Sequence, residues 1–158
     1  MALIQESTAD LCDRLGARAR VCHLPWRSYG GLQAASGTVA CVQAFEDAGP
    51  VRAMLETPGA GRILVVDGGG SLRVALLGDR LAQLGLDHGW RGVIVHGAIR
   101  DVAALASMDF AVFALGAVPR RASGSVLCEP SPVLAFAGVR ITSGEGVHLD
   151  ADGVVFVG

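Results

Sequence analysis

The chain has 158 residues, of which 51% are apolar and 18% are charged, and its formal net charge is −2. This length fits one domain, and the composition is that of a globular protein rather than a disordered one. The weak negative charge gives no electrostatic indication of nucleic-acid binding, and no apolar run approaches the roughly 20 residues of a membrane-spanning helix.

The first third of the chain predicts a helix, a loop, a strand and a second helix. Ser7 is a suitable cap for a short helix that Gly16 ends. Residues 25–31 contain proline, aromatic residues and a glycine pair, which is typical of a loop. Residues 37–45 alternate small and β-branched side chains and predict a strand, and residues 48–56 predict a helix.

The centre of the chain contains two similar units, each with a buried strand, a glycine-bearing turn and a helix start. Residues 63–66 are the first apolar run, and the turn 67–73 closes it. An amphipathic segment over residues 76–90 leads to the second apolar run, 92–95, which ends in residues 96–101. Two such units predict a parallel α/β arrangement, in which ligands bind at the carboxyl ends of the strands.

The last third predicts short strands joined by turns. A brief helix over residues 101–108 precedes a strand over 110–115, and a long proline-bearing connection begins after Gly116. Further strands are predicted at residues 133–136, 139–142, 147–149 and 154–157. Because no linker divides the chain, we expect one α/β domain over residues 1–158.

Two residue types are missing, and one absence limits the chemistry. All 13 basic residues are arginine, so there is no lysine, and there is also no asparagine. Without lysine the chain has no amine for a Schiff base, for attachment of pyridoxal phosphate or for a Walker-type phosphate loop. The absence of asparagine removes any N-glycosylation acceptor.

Cysteine and histidine spacing gives no metal or redox motif. Cys12, Cys22, Cys41 and Cys128 contain no C-x-x-C pair, and buried free thiols are the simplest interpretation. The four histidines lack metal-ligand spacing. The N-terminus carries acidic residues rather than a basic signal-peptide start, so we expect a cytoplasmic protein.

Three motifs are candidates for binding or catalysis. The turn at residues 67–70 is similar to a nucleotide or methyltransferase glycine loop but lacks the G-x-G-x-x-G spacing, which favours an ordinary tight turn. Residues 78–81 begin a helix, where free N–H groups favour an anion; Asp79 as an ordinary N-cap is the alternative.

Arg100 and Asp101 follow a strand, where arginine can bind an anion and aspartate a hard divalent cation. Their alternatives are a surface ion pair and an aspartate N-cap. The pair Arg120-Arg121 is typical of a solvated basic turn.

Several segments together resemble the RraA family, which holds regulators of ribonuclease E activity and related 4-hydroxy-4-methyl-2-oxoglutarate aldolases. The resemblance covers nearly the whole chain, and the length is that of the short members. The segments that carry it are residues 28–31, 45–47, 65–73, 75–79, 89–97, 99–101, 114–116, 119–120 and 150–154.

The resemblance implies a fold, an assembly and a site. The implied fold is a single-domain β/β/α swivelling-domain type, like the phosphohistidine domains, assembled as a homotrimer with sites between subunits; whether two rings stack is left open. Arg100 would bind the keto or enolate oxygen of a 2-keto acid, and Asp101 would bind Mg²⁺ or Mn²⁺. The residues implied to bind the substrate carboxylate are Gly78, Asp79, Arg80 and Leu81.

The implied chemistry is a metal-dependent lyase that acts through an enolate. Cleavage of a C–C bond next to a 2-keto acid leaves an enolate, which the metal and Arg100 would stabilise, in aldol cleavage or in oxaloacetate decarboxylation. Asp79, acting through a metal-bound water, is the hypothetical general base. The alternative function is a protein-binding regulator that inhibits ribonuclease E, and fold alone does not choose between them.

The sequence departs from the family pattern at the rim of the implied site. Arg80 stands where asparagine is expected, Arg121-Ala122 replaces Lys-Ser, and residues 143–145 replace a Pro-Gly-Asp turn. None of these changes touches Arg100 or Asp101. They therefore affect the expected choice of substrate rather than the expected metal centre.

Overall fold

The computed structural model describes residues 5–125 and 130–158, which form ten strands and four α-helices. The helices are α1 (Thr8–Leu15), α2 (Gly49–Leu55), α3 (Asp79–Asp87) and α4 (Val102–Leu105), with a short 3-10 helix at Gly16–Arg18. The strands are β1 (Arg20–Val21), β2 (Arg27–Ser28), β3 (Ala35–Gln43), β4 (Ile63–Asp67), β5 (Gly92–Ile99), β6 (Ala111–Ala117), β7 (Val133–Phe136), β8 (Val139–Thr142), β9 (Gly146–Asp150) and β10 (Gly153–Val157).

Eight strands form one mixed sheet in the order β1-β10-β9-β3-β4-β5-β6-β2. The four central strands, β3 to β6, are parallel, and the strands outside them pair antiparallel. The central strands are nearly continuous apolar runs because both of their faces are covered, as is usual for parallel sheets. Strands β7 and β8 form a separate hairpin.

The two faces of the sheet carry two separate cores. Helices α2 and α3 pack on one face, where Leu55, Val95 and Phe110 belong to the same buried cluster. The β7–β8 hairpin covers the opposite face, where Ile94 and Ile141 are buried. Helices α2 and α3 lie on the same face and contact each other, and residues from the first turns of both line one cavity.

The predicted α/β class and most predicted elements are confirmed, with Ser7 capping α1 and Gly16 ending it. Two elements differ in length from the prediction. The strand predicted at 92–95 continues to Ile99, because an irregularity between Val95 and Ala98 allows pairing with β6 to resume. The helix predicted at 101–108 is only Val102–Leu105.

The predicted loop at residues 25–31 contains the two-residue strand β2, which pairs with Phe113 and Ala114 of β6. The glycine pair that suggested a loop permits close packing instead. A Cβ atom on Gly30 would lie 2.1 Å from the carbonyl oxygen of Phe110, so only glycine fits there. Contacts this distant in sequence leave no local periodicity, and β1 was missed for the same reason.

Of the four cysteines, Cys22 and Cys41 are buried free thiols as predicted, whereas Cys12 is only half-buried. Cys128 lies outside the described residues, as does part of the predicted proline-bearing connection. Burial raises the pKa of Cys22 to about 11, so this thiol stays protonated at neutral pH. None of the helices formed by the described residues has the length and apolar character needed to span a membrane.

Candidate active site

A cavity of about 810 Å³ lies where the first turns of α2 and α3 meet the end of β5. The six residues that the sequence singled out all line it, together with residues from two further segments. The six are Gly78, Asp79, Arg80, Leu81, Arg100 and Asp101. The carboxyl-terminal end of a parallel sheet is where α/β proteins place their ligands, and the cavity follows that rule.

The backbone after β5 directs Arg100 and Asp101 toward the start of α3. The amide of Arg100 donates to the carbonyl oxygen of Leu77 at 2.9 Å, and the amide of Leu76 donates to Ala98 at 2.9 Å. Residues 75–77 thus continue the sheet beside the end of β5. Asp101 then adopts a left-handed conformation, with φ 63° and ψ 43°. Such backbone in a non-glycine residue is strained and occurs often at functional sites.

Gly78 allows this close approach. A Cβ atom at position 78 would lie 2.5 Å from Oδ2 of Asp101 and 3.3 Å from Cγ of Arg100. Its backbone is extended, with φ −135°, so the conformation itself does not demand glycine. Glycine is required here because the side chains of Arg100 and Asp101 occupy the space that a Cβ would fill.

The carboxylate of Asp101 caps α3 from another part of the chain. Its Oδ2 accepts a hydrogen bond from the amide of Asp79 at 3.0 Å. Asp79 is therefore the first helical residue and not the N-cap, which is Gly78. Asp101 stands at the cap position of α4, but its side chain does not cap that helix. The first intrahelical bond of α3 comes from the amide of Ala82, which leaves the amides of residues 80 and 81 available to an anion.

The surroundings of Asp101 keep it ionised. The hydrogen bond from the amide of Asp79 is the largest cause that lowers the pKa of Asp101 below its ordinary value. Burial opposes this shift, and the positive charges of Arg100 and Arg80 lower the pKa further. Nε of Arg100 lies 4.0 Å from Oδ2 of Asp101, and each side chain is 36% exposed. The cavity therefore presents an ionised carboxylate beside a guanidinium, and both reach solvent.

The same carboxylate fits a hard divalent cation. One hydrogen bond to Oδ2 leaves a carboxylate with unused acceptor capacity, and oxygen is the ligand that Mg²⁺ and Mn²⁺ prefer. Within residues 5–125 and 130–158, no three His, Cys, Asp or Glu side chains cluster closely enough to hold a metal ion. A Mg²⁺ ion is commonly bound through one or two carboxylates, with water and substrate in the other positions.

The glycine-rich turn at residues 67–70 is filled by the protein itself. The amides of Gly68 and Gly70 donate to the carbonyl oxygen of His96 at 3.0 and 3.1 Å. A Cβ on Gly68 would lie 2.5 Å from Cδ1 of Leu76. Nδ1 of His96 is 3.0 Å from Oδ1 of Asp67, which also accepts from the amide of Gly69. The predicted tight turn, which lets neighbouring backbone approach, is confirmed.

Sequence reasoning missed two walls of the cavity. One is α2, which contributes Arg52, and the other is the segment 121–125, which contributes Arg121. Both arginines are exposed, as predicted for Arg121, but they face the cavity. The only sequence signal was the departure from Lys-Ser at residues 121–122, and helix α2 gave no signal because an arginine on a helix is usually only a solvated residue.

Asp47 joins these two walls. Its Oδ1 accepts from the amides of Gly49 and Ser125, both at 2.9 Å. The amide of Ala48 donates to the carbonyl oxygen of Ser123 at 2.7 Å. A Cβ on Gly49 would lie 2.0 Å from the carbonyl oxygen of Ser125, so glycine is needed where the segment crosses α2.

Comparison with known proteins gives one consistent family. The family model described as RraA-like, Aldolase/RraA, matches residues 8–156. A candidate 4-hydroxy-4-methyl-2-oxoglutarate aldolase from Aromatoleum aromaticum is 46% identical over 148 residues, which cover 94% of this chain and 93% of that protein. Another from Alkalilimnicola ehrlichii is 45% identical, with 94% and 92% covered.

Two solved structures share the fold closely. The crystal structure of an S-adenosylmethionine:2-dimethylmenaquinone methyltransferase from Geobacillus kaustophilus has a TM-score of 0.92 and 49% identity, covering 96% of this chain and 94% of the other. The structure of the RNA-processing inhibitor RraA from Thermus thermophilis has a TM-score of 0.92 and 37% identity, covering 98% and 93%.

Proposed function

This chain belongs to the Aldolase/RraA family, and we propose on that basis that it is a divalent-metal-dependent lyase for 2-keto acids derived from pyruvate. Its reactions would be retro-aldol cleavage of 4-hydroxy-4-methyl-2-oxoglutarate and decarboxylation of oxaloacetate. The names of the relatives from Aromatoleum aromaticum and Alkalilimnicola ehrlichii support the first reaction. The second follows from the shared enolate.

One observation carries the proposal: Arg100 and Asp101 lie against the open first turn of α3. Oδ2 of Asp101 binds the amide of Asp79 at 3.0 Å, and the space that a Cβ on Gly78 would need is occupied by both side chains. A carboxylate group, a keto oxygen and a cation each find a suitable partner within one cavity. A chain that serves only to contact another protein has no physical need for this set.

The substrate binds through its carboxylate and its keto oxygen. The amides of Arg80 and Leu81, aided by the positive end of the helix dipole, receive the C1 carboxylate. The guanidinium of Arg100 donates a hydrogen bond to the C2 oxygen. This hydrogen bond becomes stronger as the oxygen gains the negative charge of an enolate. Asp101 would hold the cation, whose chemistry is that of a Lewis acid on the keto oxygen.

Retro-aldol cleavage then needs one base. A base removes the proton from the 4-hydroxyl, the C3–C4 bond breaks, and its electron pair forms the enolate of the first pyruvate. The former C4 becomes the carbonyl carbon of a second pyruvate, and protonation at C3 completes the first. In oxaloacetate the C3–C4 bond breaks to release carbon dioxide and the same enolate. Because the chain contains no lysine, no step uses an imine.

Asp79 is the proposed base for the hydroxyl proton. Its side chain is exposed at the mouth of the cavity, at the first position of α3. Asp79→Asn keeps the helix start and removes the basic oxygen, so aldol cleavage should fall by about 100-fold. Decarboxylation of oxaloacetate, which requires no proton removal, should fall much less. Equal losses in both reactions would remove Asp79 from this role.

The test of the proposed function is the release of pyruvate from the two substrates. We expect turnover with Mg²⁺ or Mn²⁺ that stops in EDTA and resumes when the metal is restored. Oxaloacetate loses carbon dioxide slowly with metal alone, so the metal-only rate must be subtracted. A folded protein that releases no pyruvate above this background from either substrate would refute the lyase assignment.

Inhibition of ribonuclease E is the second candidate, and the similarity to the Thermus thermophilis inhibitor supports it. Binding of this chain to ribonuclease E, with slower RNA cleavage, would be the positive result. The variants Arg100→Ala and Asp101→Ala separate the two functions. They should lower a lyase activity by about 100-fold or more and leave inhibition by surface contact unchanged.

A methyltransferase activity is not favoured, despite the name of the Geobacillus kaustophilus structure. The sequence feature that suggested such a cofactor was the glycine turn at residues 67–70. Leu76 and the backbone of His96 fill the space beside that turn, so it offers no cradle for a cofactor. Equilibrium dialysis with S-adenosylmethionine should therefore show no binding at micromolar concentrations.

A further inference from the structure

The cavity contains more positive charge than a simple 2-keto acid requires. Its lining includes four arginines and two aspartates, a formal excess of two positive charges. Arg80 and Arg100 lie beside Asp79 and Asp101 at the start of α3. The remaining two, Arg52 and Arg121, lie on other walls, and neither is used in the mechanism described above.

Arg52 and Arg121 come from two elements that are fixed to each other. The amide of Arg52 donates to the carbonyl oxygen of Ala48, one turn earlier in α2. Ala48 in turn donates to Ser123, two residues after Arg121. On its other side the segment is fixed to the sheet, because the amide of Ala75 donates to Arg120 and the amide of Ala122 donates to Ala75. The two guanidinium groups therefore project from neighbouring, anchored backbone.

The one ion pair described for Arg52 is weak enough for this side chain to bind an anionic ligand instead. NH1 of Arg52 lies 3.9 Å from Oε1 of Glu56, with side-chain exposures of 60% and 53%. An exposed pair at this spacing on a helix is weak and readily exchanged for a ligand. Arg52 and Arg121 both line the cavity, so an anionic ligand bound there can contact both side chains.

The size of the cavity also exceeds the needs of pyruvate. Six heavy atoms occupy at most about 180 Å³ if each takes the volume of a water molecule. The cavity volume of about 810 Å³ leaves room for a longer substrate with a second functional group. Two exposed arginines favour a ligand group that is anionic and planar, and a carboxylate fits their fork geometry.

We propose that Arg52 and Arg121 form a second anion subsite that binds the distal carboxylate of a dicarboxylic 2-keto acid. The proposal rests on the proposed function in one respect, since it takes the start of α3 as the place of the first carboxylate. It makes these two arginines the specificity determinants for diacids over monoacids. Neither touches the reacting bond, so they act on substrate selection.

The subsite also favours one of the two reactions. In aldol cleavage of a five-carbon-chain diacid, the distal carboxylate remains charged throughout and stays bound. In oxaloacetate, the distal carboxylate is the group that loses its charge as carbon dioxide. Arginines that bind this carboxylate stabilise the ground state and not the transition state. The pair therefore favours aldol cleavage of longer diacids over decarboxylation.

The test uses binding of 2-oxoglutarate and pyruvate, measured by calorimetry with Mg²⁺ present. 2-Oxoglutarate carries the distal carboxylate but has no 4-hydroxyl, so it cannot undergo retro-aldol cleavage. Wild type should bind it roughly 10- to 100-fold more tightly than pyruvate. Arg52→Gln and Arg121→Gln should each lower this ratio by about 10-fold and leave pyruvate binding unchanged.

Arg120→Gln is the matched control, because Arg120 lies one residue from Arg121 but outside the cavity lining. It removes the same charge from the same segment and should leave the ratio unchanged. Glutamine preserves side-chain length and helix propensity, and far-ultraviolet circular dichroism verifies the fold of each variant. A similar fall in the ratio for Arg120→Gln would mean a general field effect and would overturn the subsite.

The remaining outcomes separate the subsite from the lyase. A wild-type protein that binds both acids equally, or variants that keep the wild-type ratio, would refute the subsite even if pyruvate release is normal. A ratio that depends on Arg52 and Arg121 in a protein that releases no pyruvate would uphold the diacid subsite and refute the lyase.

Discussion

Gly78 is the residue on which the geometry of the site depends most directly. A Cβ there would lie 2.5 Å from Oδ2 of Asp101, whereas the extended backbone of Gly78 accepts any residue. Gly78→Ala should therefore displace Asp101 without unfolding the protein. A shift of about 1 Å in a positioned group can cost roughly 100-fold in rate.

The measurement is pyruvate release by Gly78→Ala, together with its melting temperature. Gly116→Ala is the control, since its new Cβ would meet Leu72 at an ordinary 3.5 Å. The control should retain both activity and melting temperature. If Gly78→Ala keeps wild-type activity, the close approach of Asp101 to α3 has no role in the reaction.

The ionised carboxylate of Asp67 should stabilise the fold, and acid should remove this contribution. The hydrogen bond from His96, and then that from the amide of Gly69, lowers the pKa of Asp67 below its ordinary value of 3.8, against the opposing effect of burial. A lowered carboxyl pKa stabilises the fold above the unfolded pKa, and this contribution disappears as pH falls through the folded pKa. Asp67→Asn removes it at all pH values.

Urea unfolding of Asp67→Asn should show a loss of about 1 kcal/mol at pH 7. The difference from wild type should shrink below pH 3.8 and vanish well below the folded pKa. Asp13→Asn, on the exposed face of α1, serves as the control and should match wild type. A difference that stayed constant from pH 7 to pH 2 would contradict the electrostatic origin.

At the scale of elements, Asp47 fixes the segment 121–125 to α2. Its Oδ1 accepts two amide hydrogen bonds, from Gly49 and Ser125. Asp47→Ala should cost about 1–3 kcal/mol in stability and loosen the cavity wall that carries Arg121. Hydrogen exchange should rise at the amides of Gly49 and Ser125 and stay low in β4. Unchanged exchange at those two amides would show that other contacts hold the wall.

Local patterns predicted the elements that depend on local contacts. Strands β4 and β5 and the cap of α1 were predicted correctly. Burial on both faces of a strand selects a run of apolar residues, and capping selects a polar residue next to the helix, so both appear in adjacent positions of the sequence. The sequence did not predict the extension of β5 to Ile99 or the short pairing of β2 with β6. Both depend on partners far along the chain, and a two-residue strand carries no period.

The candidate site was found in part for the same reason. Residues 78–81 and 100–101 were candidates because they lie at a predicted helix start and after a predicted strand. The structure brings both segments into one cavity. The capping of α3 by Asp101 is a contact over 22 residues, which no local motif encodes. Arg52 was missed because a helical arginine usually has no role beyond solvation.

At the scale of the whole molecule, the family resemblance implies a homotrimer, which we propose for this chain. Among the described residues, the large apolar side chains that remain exposed are Phe45, Leu72 and Val102. Subunit contacts in a trimer would remove such side chains from water. Sedimentation velocity at micromolar concentration should give the mass of three chains. A single species of about 16.2 kDa would contradict the trimer.

We propose that Arg100 and Asp101 act together with a divalent cation on a 2-keto acid. The most direct test is the Mg²⁺ dependence of pyruvate release from 4-hydroxy-4-methyl-2-oxoglutarate by wild type, Arg100→Ala and Asp101→Asn. We expect wild type to saturate with Mg²⁺, Asp101→Asn to need far more Mg²⁺, and Arg100→Ala to lose about 100-fold in kcat with its Mg²⁺ requirement unchanged. Turnover by Asp101→Asn at the wild-type Mg²⁺ concentration and rate would contradict the claim.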